Sequence, residues 1–293
     1  LNGQSIERIE PPNWWTGFKD PNFQILLYGV NIGSNKVSIK QKNVELIDYQ
    51  STSANYFFLN LKLKPRFSAK EIQIQISGIG MDTVVRYPIY QKSVGHSRGY
   101  SKQDVIYLIT PDRFANGDPV NDTEPGMLER CDRKDKNGRH GGDLEGIRKH
   151  LDYIADMGYT AIWINPLLEN NMEKWSYHGY AITDFYQMDP RMGTNKSYKE
   201  FCTEAHAKGI KVIMDMVINH CGSNHWWMND PPTQDWINYF KQEYVETNHR
   251  KTTRPDAHAS PTDIEHLEKG WFVPTMPDLN MTNPLLARYM IQN

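Results

Sequence analysis

The seven residues Lys211–Val217, KVIMDMV, constrain the fold more than any other stretch. A short apolar run without alternation reads as a strand buried on both faces, which is the habit of parallel sheets. The run carries one carboxylate, Asp215, and is followed by Asn219 and His220. An acid near the end of a buried strand, with two more polar groups behind it, makes sense where strand ends form the floor of a site. That is the arrangement of (β/α) barrels. The structural alternative is a buried Asp that pairs with an arginine and serves packing alone.

On the N-terminal side the texture differs. Ile72, Ile74 and Ile76 alternate with Glu71, Gln73 and Gln75, and Phe57, Leu59, Leu61 and Leu63 alternate past Asn60 and Lys62. Such period-two patterns describe half-exposed antiparallel sheet. Further strands are expected at Phe23–Val30, Lys36–Ile39, Val44–Asp48 and Thr83–Tyr90, which together suggest an all-β sandwich of immunoglobulin-like type. Ser93–Lys102 reads as a linker.

From Asp104 strand and helix alternate. Val105–Thr110 and Thr160–Ile164 read as buried strands. Leu144–Met157 and Tyr198–Ala207 read as helices, ended by Gly158 and Gly209. After His220 regularity dissolves until a helix near Pro284–Met290. Four segments follow: a sandwich at 1–95, three βα units at 96–217, an inserted domain at 218–283 and the next barrel helix at 284–293. A complete barrel takes about 250 residues. The fold class expected is therefore a sandwich followed by the first part of a (β/α)8 TIM barrel, with a domain inserted after strand 3.

Composition narrows the function. A net charge of −2 gives no support to nucleic-acid or acidic-membrane binding. No apolar run approaches a bilayer span. Cys131, Cys202 and Cys221 are odd in number and form no CxxC pair. The 8 Trp and 16 Tyr suit stacking on sugars, although a large core and interfaces use such rings too. The chain starts at Leu1, so removal of a leader or tag is expected, and a periplasmic or secreted setting is favoured over a cytoplasmic one.

Three constellations carry chemistry. In Pro111–Asp122, PDRFANGDPVND, the side chains of Asn116, Asp118, Asn121 and Asp122 place oxygens around a glycine turn, near Gly141–Asp143. Hard cations such as calcium favour loops of this kind, although Asx-capped turns produce the same composition. It is not an EF-hand, because Thr123 stands where the bidentate glutamate belongs. In Tyr177–Asp189, YHGYAITDFYQMD, the rings of Tyr177, His178 and Tyr180 would share a barrel face with Asp215 and suit stacking on a sugar, although a loop packed by its own aromatics has the same composition. His220, Cys221 and His225 lack the spacing of a zinc site.

The segments PDRFANGDPVND, GGDLEGIRKHLDYIADMGYTAIWINPLLEN, YHGYAITDFYQMDPRMGT, DMVINH and MPDLN resemble, in order, the α-amylase superfamily of glycoside hydrolases (family 13). The branch they are most similar to is that of neopullulanase and cyclomaltodextrinase, and the resemblance covers essentially the whole chain. It implies an α-glucan substrate held by Tyr180, His178, Asp215 and His220. Tyr180 would stack on the glucosyl ring in the cleavage subsite, His220 would hydrogen-bond it, and Asp215 would orient a downstream arginine. It also implies a calcium site formed by Asn116, Asp118, Asn121, Asp122, Gly141 (through its carbonyl) and Asp143. Asp278 stands where close neopullulanases carry lysine, which leaves a second site with Asn219 open.

No segment matches the superfamily's nucleophilic aspartate or acid/base glutamate. Both are expected beyond Asn293, so the intact parent is read as a retaining hydrolase of α-1,4 links in cyclodextrin, pullulan or maltooligosaccharides. The 293 residues alone are expected to be inactive. A homodimer through the N-terminal domain is a further expectation. The competing function is a non-catalytic carbohydrate-binding module with Trp14 and Trp15 as the sugar platform.

Overall fold

Period-two alternation builds the N-terminal strands, as seen in a computed structural model that describes residues 5–65, 67–78, 80–92, 99–254 and 256–293. They are β1 (Arg8–Glu10), β2 (Trp14–Thr16), β3 (Asn22–Tyr28), β4 (Lys36–Ser38), β5 (Val44–Ser53), β6 (Tyr56–Leu63), β7 (Glu71–Gly78) and β8 (Met81–Gln91). Two four-stranded sheets result, ordered β1-β3-β6-β5 and β2-β8-β7-β4. The pairing is antiparallel except between β2 and β8. Phe23, Ile25, Leu27, Phe57, Leu59 and Leu61 of one sheet join Ile72, Ile74, Ile76, Tyr87 and Ile89 of the other in a single core. The first six residues of the expected linker, Ser93–Arg98, lie outside the described residues.

The β3–β6 sheet departs from the half-exposed expectation. Its opposite face carries Leu26 and Phe58, both fully buried, and Gln24, nearly so. NFQILLY and YFFLNLKL are apolar on both sides of the strand, and what covers that second side comes from far along the chain. One compact unit gathers the N-terminal strands with Pro231–Trp236 and Asn280–Asn293. The Trp236 ring lies 5.8 Å from Phe58. Helix Pro284–Gln292 starts on an Asn283 cap whose Oδ1 accepts from Leu285 N–H at 3.0 Å, with Pro284 in its first turn.

That helix is tied to β3 by side-chain hydrogen bonds. The backbone of Gln24 donates to Gln292 Oε1 at 2.7 Å and accepts from Gln292 Nε2 at 2.7 Å. Gln24 Nε2 donates to Leu285 O at 3.0 Å, and Tyr289 Oη donates to Glu10 Oε2 at 2.7 Å. The helix therefore forms where the sequence places it and completes the sandwich unit.

In the other unit residues 99–230 join Ile237–Leu279. Its strands are β9 (Ile106–Ile109), β10 (Ala161–Ile164), β11 (Leu168–Glu169), β12 (Asp184–Met188) and β13 (Lys211–Met214). β13, β10 and β9 form a parallel sheet in that order, with Ala161 level with Ile106 and Lys211. β11 and β12 form a separate antiparallel pair. The predicted helix Leu144–Met157 is two helices, Leu144–Lys149 and Leu151–Asp156, parted at His150. Helix Asn195–Ala207 begins three residues earlier than expected, in a capping box between Thr194 and Ser197.

Ile109, Ile147, Leu151, Ile154, Ile162, Ile164 and Phe201 form the core under these helices. The opposite sheet face is not buried, since Leu108 is 55% and Trp163 40% exposed. β13 is half-buried along its length, so the expectation of a strand buried on both faces does not hold for this chain. It also ends at Met214, which leaves Asp215 as the first residue past the carboxyl end.

Leu286→Ala should destabilise the sandwich by about 2–5 kcal/mol, because a fully buried leucine is lost from its cover. Urea unfolding followed by the fluorescence of Trp14 and Trp15 checks this. An unchanged midpoint for the sandwich would show that the helix is not part of that unit.

Candidate functional site

Two chain segments bring the sugar-binding candidates together. The first lies between β11 and β12, where a 3-10 turn, Ser176–His178, sits between Trp175 (φ 60°) and Gly179 (φ 83°), both left-handed. Gly179 is required, because any Cβ there would strike the carbonyl oxygen of Pro166 at the end of β10. The Glu129 carboxylate accepts from the N–H of Trp175 at 3.2 Å and of Ser176 at 2.6 Å, fixing the turn. The second is the exit of β13, carrying Asp215, Asn219 and His220.

Direct contacts join the two. Tyr180 Oη donates to Asp215 Oδ2 at 2.9 Å. Burial first, and then Asp215, push the Tyr180 hydroxyl up to about 12, so it remains a donor. Tyr180 N–H donates to His178 Nδ1 at 2.9 Å, which leaves the proton of a neutral imidazole on Nε2. Burial lowers the His178 pKa and favours that neutral form. His220 lies with Nε2 3.2 Å from Tyr180 O and Nδ1 3.2 Å from Asn219 Nδ2. Its ring stacks on Phe272 at 5.6 Å.

The four residues Tyr180, His178, Asp215 and His220 are thus one contact cluster at the carboxyl ends of β10 and β13. Two of them border different cavities. His178 borders a cavity of about 860 Å³ with Trp175, Tyr177 and Phe272. His220 borders a smaller one of about 360 Å³ with Asn219, His249, Phe272 and Asp278. Both His220 nitrogens have protein partners, so a ligand hydrogen bond to this ring requires one to be exchanged.

The metal candidates divide. Asn116 Nδ2 donates to Asp122 Oδ1 at 2.6 Å, while Asn116 Oδ1 and Asn121 Oδ1 are buried with no hydrogen-bond partner among the described residues. Gly141 (φ 84°) passes so close that a Cβ would strike Asp122 and Asn116. These four residues make a cradle of oxygen acceptors, and buried unpaired acceptors beside a carboxylate fit a hard cation. The Asp143 carboxylate caps helix Leu144–Lys149 through Gly146 N–H at 2.6 Å and accepts from Asp118 N–H at 2.8 Å. Asp118 Oδ1 in turn accepts from Val120 N–H at 3.1 Å. No group of three His, Cys, Asp or Glu side chains among the described residues could hold a metal, so the cradle is mainly amide and carbonyl in character.

Residues absent from the sequence reading hold this face in place. Arg113 stacks over the Tyr177 ring at 4.0 Å. Arg191, fully buried, binds Asp189 through two nitrogens at 2.9 and 2.7 Å and donates to Glu129 O at 2.8 Å. Arg191 lies inside the motif quoted above, but nothing in its spacing revealed the partners. In the sandwich, Trp14 is core, stacked on Phe23 at 5.4 Å, whereas Trp15 is exposed. That removes one of the two rings from the expected sugar platform. No helix among the described residues is long and apolar enough to cross a membrane.

Residues 106–293 match the family model of the α-amylase catalytic domain, and residues 8–93 match that of the cyclomaltodextrinase N-terminal domain. Neopullulanase 2 of Thermoactinomyces vulgaris is 32% identical over 213 residues, covering 69% of this chain and 33% of that protein. A cyclomaltodextrinase of Geobacillus thermopakistaniensis is 33% identical, covering 65% of this chain and 30% of that protein. Among solved structures, an Anoxybacillus α-amylase is 40% identical with a TM-score of 0.52, over 64% of this chain and 36% of that one. The chain spans about a third of the length of these relatives.

The His220 environment yields a pH prediction. Burial, chiefly, lowers its pKa from 6.5 to about 4, so the fold favours the neutral ring. As pH falls, the unfolded chain takes up this proton first. The contribution is complete above about pH 6.5 and lost toward pH 4, and amounts to ~3 kcal/mol. Unfolding free energies measured across this window should fall more steeply for the wild type than for His220→Gln. Parallel curves would refute the assignment.

Proposed function

Because the chain belongs to the α-amylase family of catalytic domains, with a cyclomaltodextrinase N-terminal domain ahead of it, we propose that it is the substrate-gripping part of an α-glucan hydrolase. The reaction is retaining hydrolysis of α-1,4-glucosidic bonds in cyclodextrin, pullulan or maltooligosaccharides. The observation that carries this reading is the Tyr180–Asp215 hydrogen bond, which sets an aromatic ring over the carboxyl end of the parallel sheet.

In this reading the Tyr180 ring packs against one face of a glucosyl unit, and Asp215 fixes the ring's orientation through its hydroxyl. Neutral His178 and His220 supply hydrogen bonds without placing a positive charge beside a developing oxocarbenium ion. Retaining chemistry needs two carboxyl groups about 5–5.5 Å apart around the bond. We assign that pair to a continuation of the barrel, in keeping with the third of the relatives' length that this chain spans. Isothermal titration with maltoheptaose tests the reading. The chain should bind, and Tyr180→Ala should weaken binding by about tenfold or more, equivalent to ~1.4 kcal/mol. Undiminished binding by this variant would refute the placement of the ring.

Calcium belongs to the same proposal. Asn116, Asn121, Asp122 and Gly141 would hold the ion. Asp118 and Asp143 support the loop through hydrogen bonds to its backbone. When bound, the ion supplies oxygen ligation that ties the loop after β9 to the segment before helix Leu144–Lys149. An ion that binds only the folded state stabilises it by RT ln(1 + [L]/Kd), about 2.7 kcal/mol at a hundredfold excess over Kd. Adding calcium to chelator-treated chain should raise Tm, and Asp122→Asn should abolish most of the rise. Equal Tm with and without calcium would refute the site. A dimer through the sandwich is supported by the exposed cluster of Trp15, Phe18 and Tyr90 on its surface.

A further inference from the structure

Asparagine followed by glycine is a chemically weak step in any chain, because glycine has no Cβ to keep its backbone nitrogen away from the asparagine side chain. The sequence has three such steps, at Asn2, Asn116 and Asn137. The first lies outside the described residues. The other two stand in opposite surroundings.

At Asn116 both reacting groups are held. Its Nδ2 donates to Asp122 Oδ1 at 2.6 Å, and the Gly117 N–H donates to both Asp143 oxygens at 3.2 Å. Attack requires that nitrogen to give up its proton, and a carboxylate facing it opposes the negative charge that results. Asn137 is the reverse case. It is exposed, and only its backbone N–H is engaged, by Asp135 Oδ1 at 2.9 Å; its side-chain amide has no hydrogen-bond partner among the described residues. The Gly138 N–H makes one bond within the same turn, to Asp135 O at 3.0 Å. Around this turn Arg130, Arg133, Lys134 and Lys136 outnumber Asp132 and Asp135. A local positive potential draws hydroxide and favours loss of the amide proton. Packing keeps the glycine in place, since a Cβ at Gly138 would press to 3.2 Å on Asp132 O and on Asp135 Cβ.

We propose that Asn137 is a covalent modification site, at which the folded chain deamidates to aspartate and isoaspartate while Asn116 is spared. The Gly138 nitrogen gives its proton to hydroxide and bonds to Asn137 Cγ. The Cγ–Nδ2 bond breaks, and the leaving nitrogen takes a proton from water and departs as ammonia. Water then opens the cyclic imide, at Cγ to leave aspartate or at the backbone carbonyl to leave isoaspartate. One water is consumed and one ammonia released, with no oxidant or reductant.

The products act on their surroundings in two ways. Each adds a carboxylate where Asn137 borders the cavity of about 860 Å³. Isoaspartate also routes the main chain through Cβ and so lengthens it between Lys136 and Gly138. Arg113 Nη2 binds the carbonyls on either side of that point, Lys136 O at 3.1 Å and Gly138 O at 2.8 Å. The same guanidinium lies over the Tyr177 ring, so the modification reaches that ring through a single residue.

The test is to hold the full chain at mildly alkaline pH, folded and, in parallel, unfolded in guanidinium chloride. Digestion with a protease that cuts after glutamate then gives residues 130–145, with Asn137, and 72–124, with Asn116, for mapping by mass spectrometry. Protein isoaspartate methyltransferase serves as the probe for isoaspartate. Asn137 should convert in the folded chain within about tenfold of its unfolded rate, whereas folding should slow Asn116 by far more, because its step waits on local opening. Asn137→Gln should remove the isoaspartate signal from residues 130–145 and leave Tm unchanged. An intact Asn137 in the folded chain, while the unfolded chain converts, overturns the proposal. Conversion of Asn116 as fast as Asn137 in the folded chain does so too. No sugar enters either readout, so the result stands apart from the glucan reading.

Discussion

The buried guanidinium of Arg191 is the interaction on which the candidate face depends. Placing a charge out of water is costly unless every donor is satisfied. Arg191 comes close to that condition, with four of its five N–H groups in hydrogen bonds. Asp189 takes Nε and Nη2 as a fork, and the carbonyls of Glu129 and Asn170 take the remaining directions at 2.8 Å each. Asp189 Oδ2 also accepts from Asn170 N–H at 3.1 Å. Three stretches of irregular chain, around Glu129, Asn170 and Asp189, are thereby fixed to one point. Removing a single partner from such a pair costs about 3–5 kcal/mol, since it strands the other charge. Loops that carry binding groups have few packing contacts of their own, and this hub gives them rigidity.

From that hub rigidity passes to the rings of Tyr177 and His178. Left-handed backbone at a residue with a side chain costs roughly 1–2 kcal/mol. Trp175 carries that strain immediately before the turn that holds Tyr177 and His178. A hydrogen bond to a charged group contributes about 1.5–3 kcal/mol, and Glu129 makes two of them to the strained turn. The two bonds outweigh the strain, so the turn is stable as built. The Tyr180–Asp215 bond then ties it to the end of β13.

How far the sequence reveals this differs by element. The alternation of Ile72, Ile74 and Ile76 and the run at Lys211 are local patterns, and both lie in strands. The cluster of Tyr180, His178, Asp215 and His220 was legible through its motifs, and the structure brings all four together. The second burial surface of β3 was not legible. Gln24 meets its partners 261 and 268 residues away, and no periodicity encodes a contact at that distance. Within the proposed metal set the sequence supplies oxygen atoms without saying which are already engaged. Asp143, a ligand in what the resemblance implies, also caps helix Leu144–Lys149 in three dimensions. Trp175 was missed for another reason: an unusual φ has no signature in residue type.

The oxygen cradle around Gly141 and the Tyr177 ring meet at the short helical turn Pro111–Phe114. Its Asp112 carboxylate is buried and accepts from His140 N–H at 2.9 Å and Gly141 N–H at 3.1 Å, which fixes one side of the cradle. The next residue, Arg113, pairs with Asp112 at 2.6 Å and lays its guanidinium over Tyr177. Buried Arg139 makes an ion pair with Asp112 at 3.9 Å, and burial, chiefly, lowers its pKa. A shift of Asp112 therefore disturbs Gly141 on one side and the Tyr177 ring on the other through direct contacts. An ion held beside Gly141, as proposed, would be linked to the aromatic face by that route. The loop is therefore joined by direct contacts to the Tyr177 ring, although none of its proposed metal ligands belongs to the cluster of Tyr180, His178, Asp215 and His220.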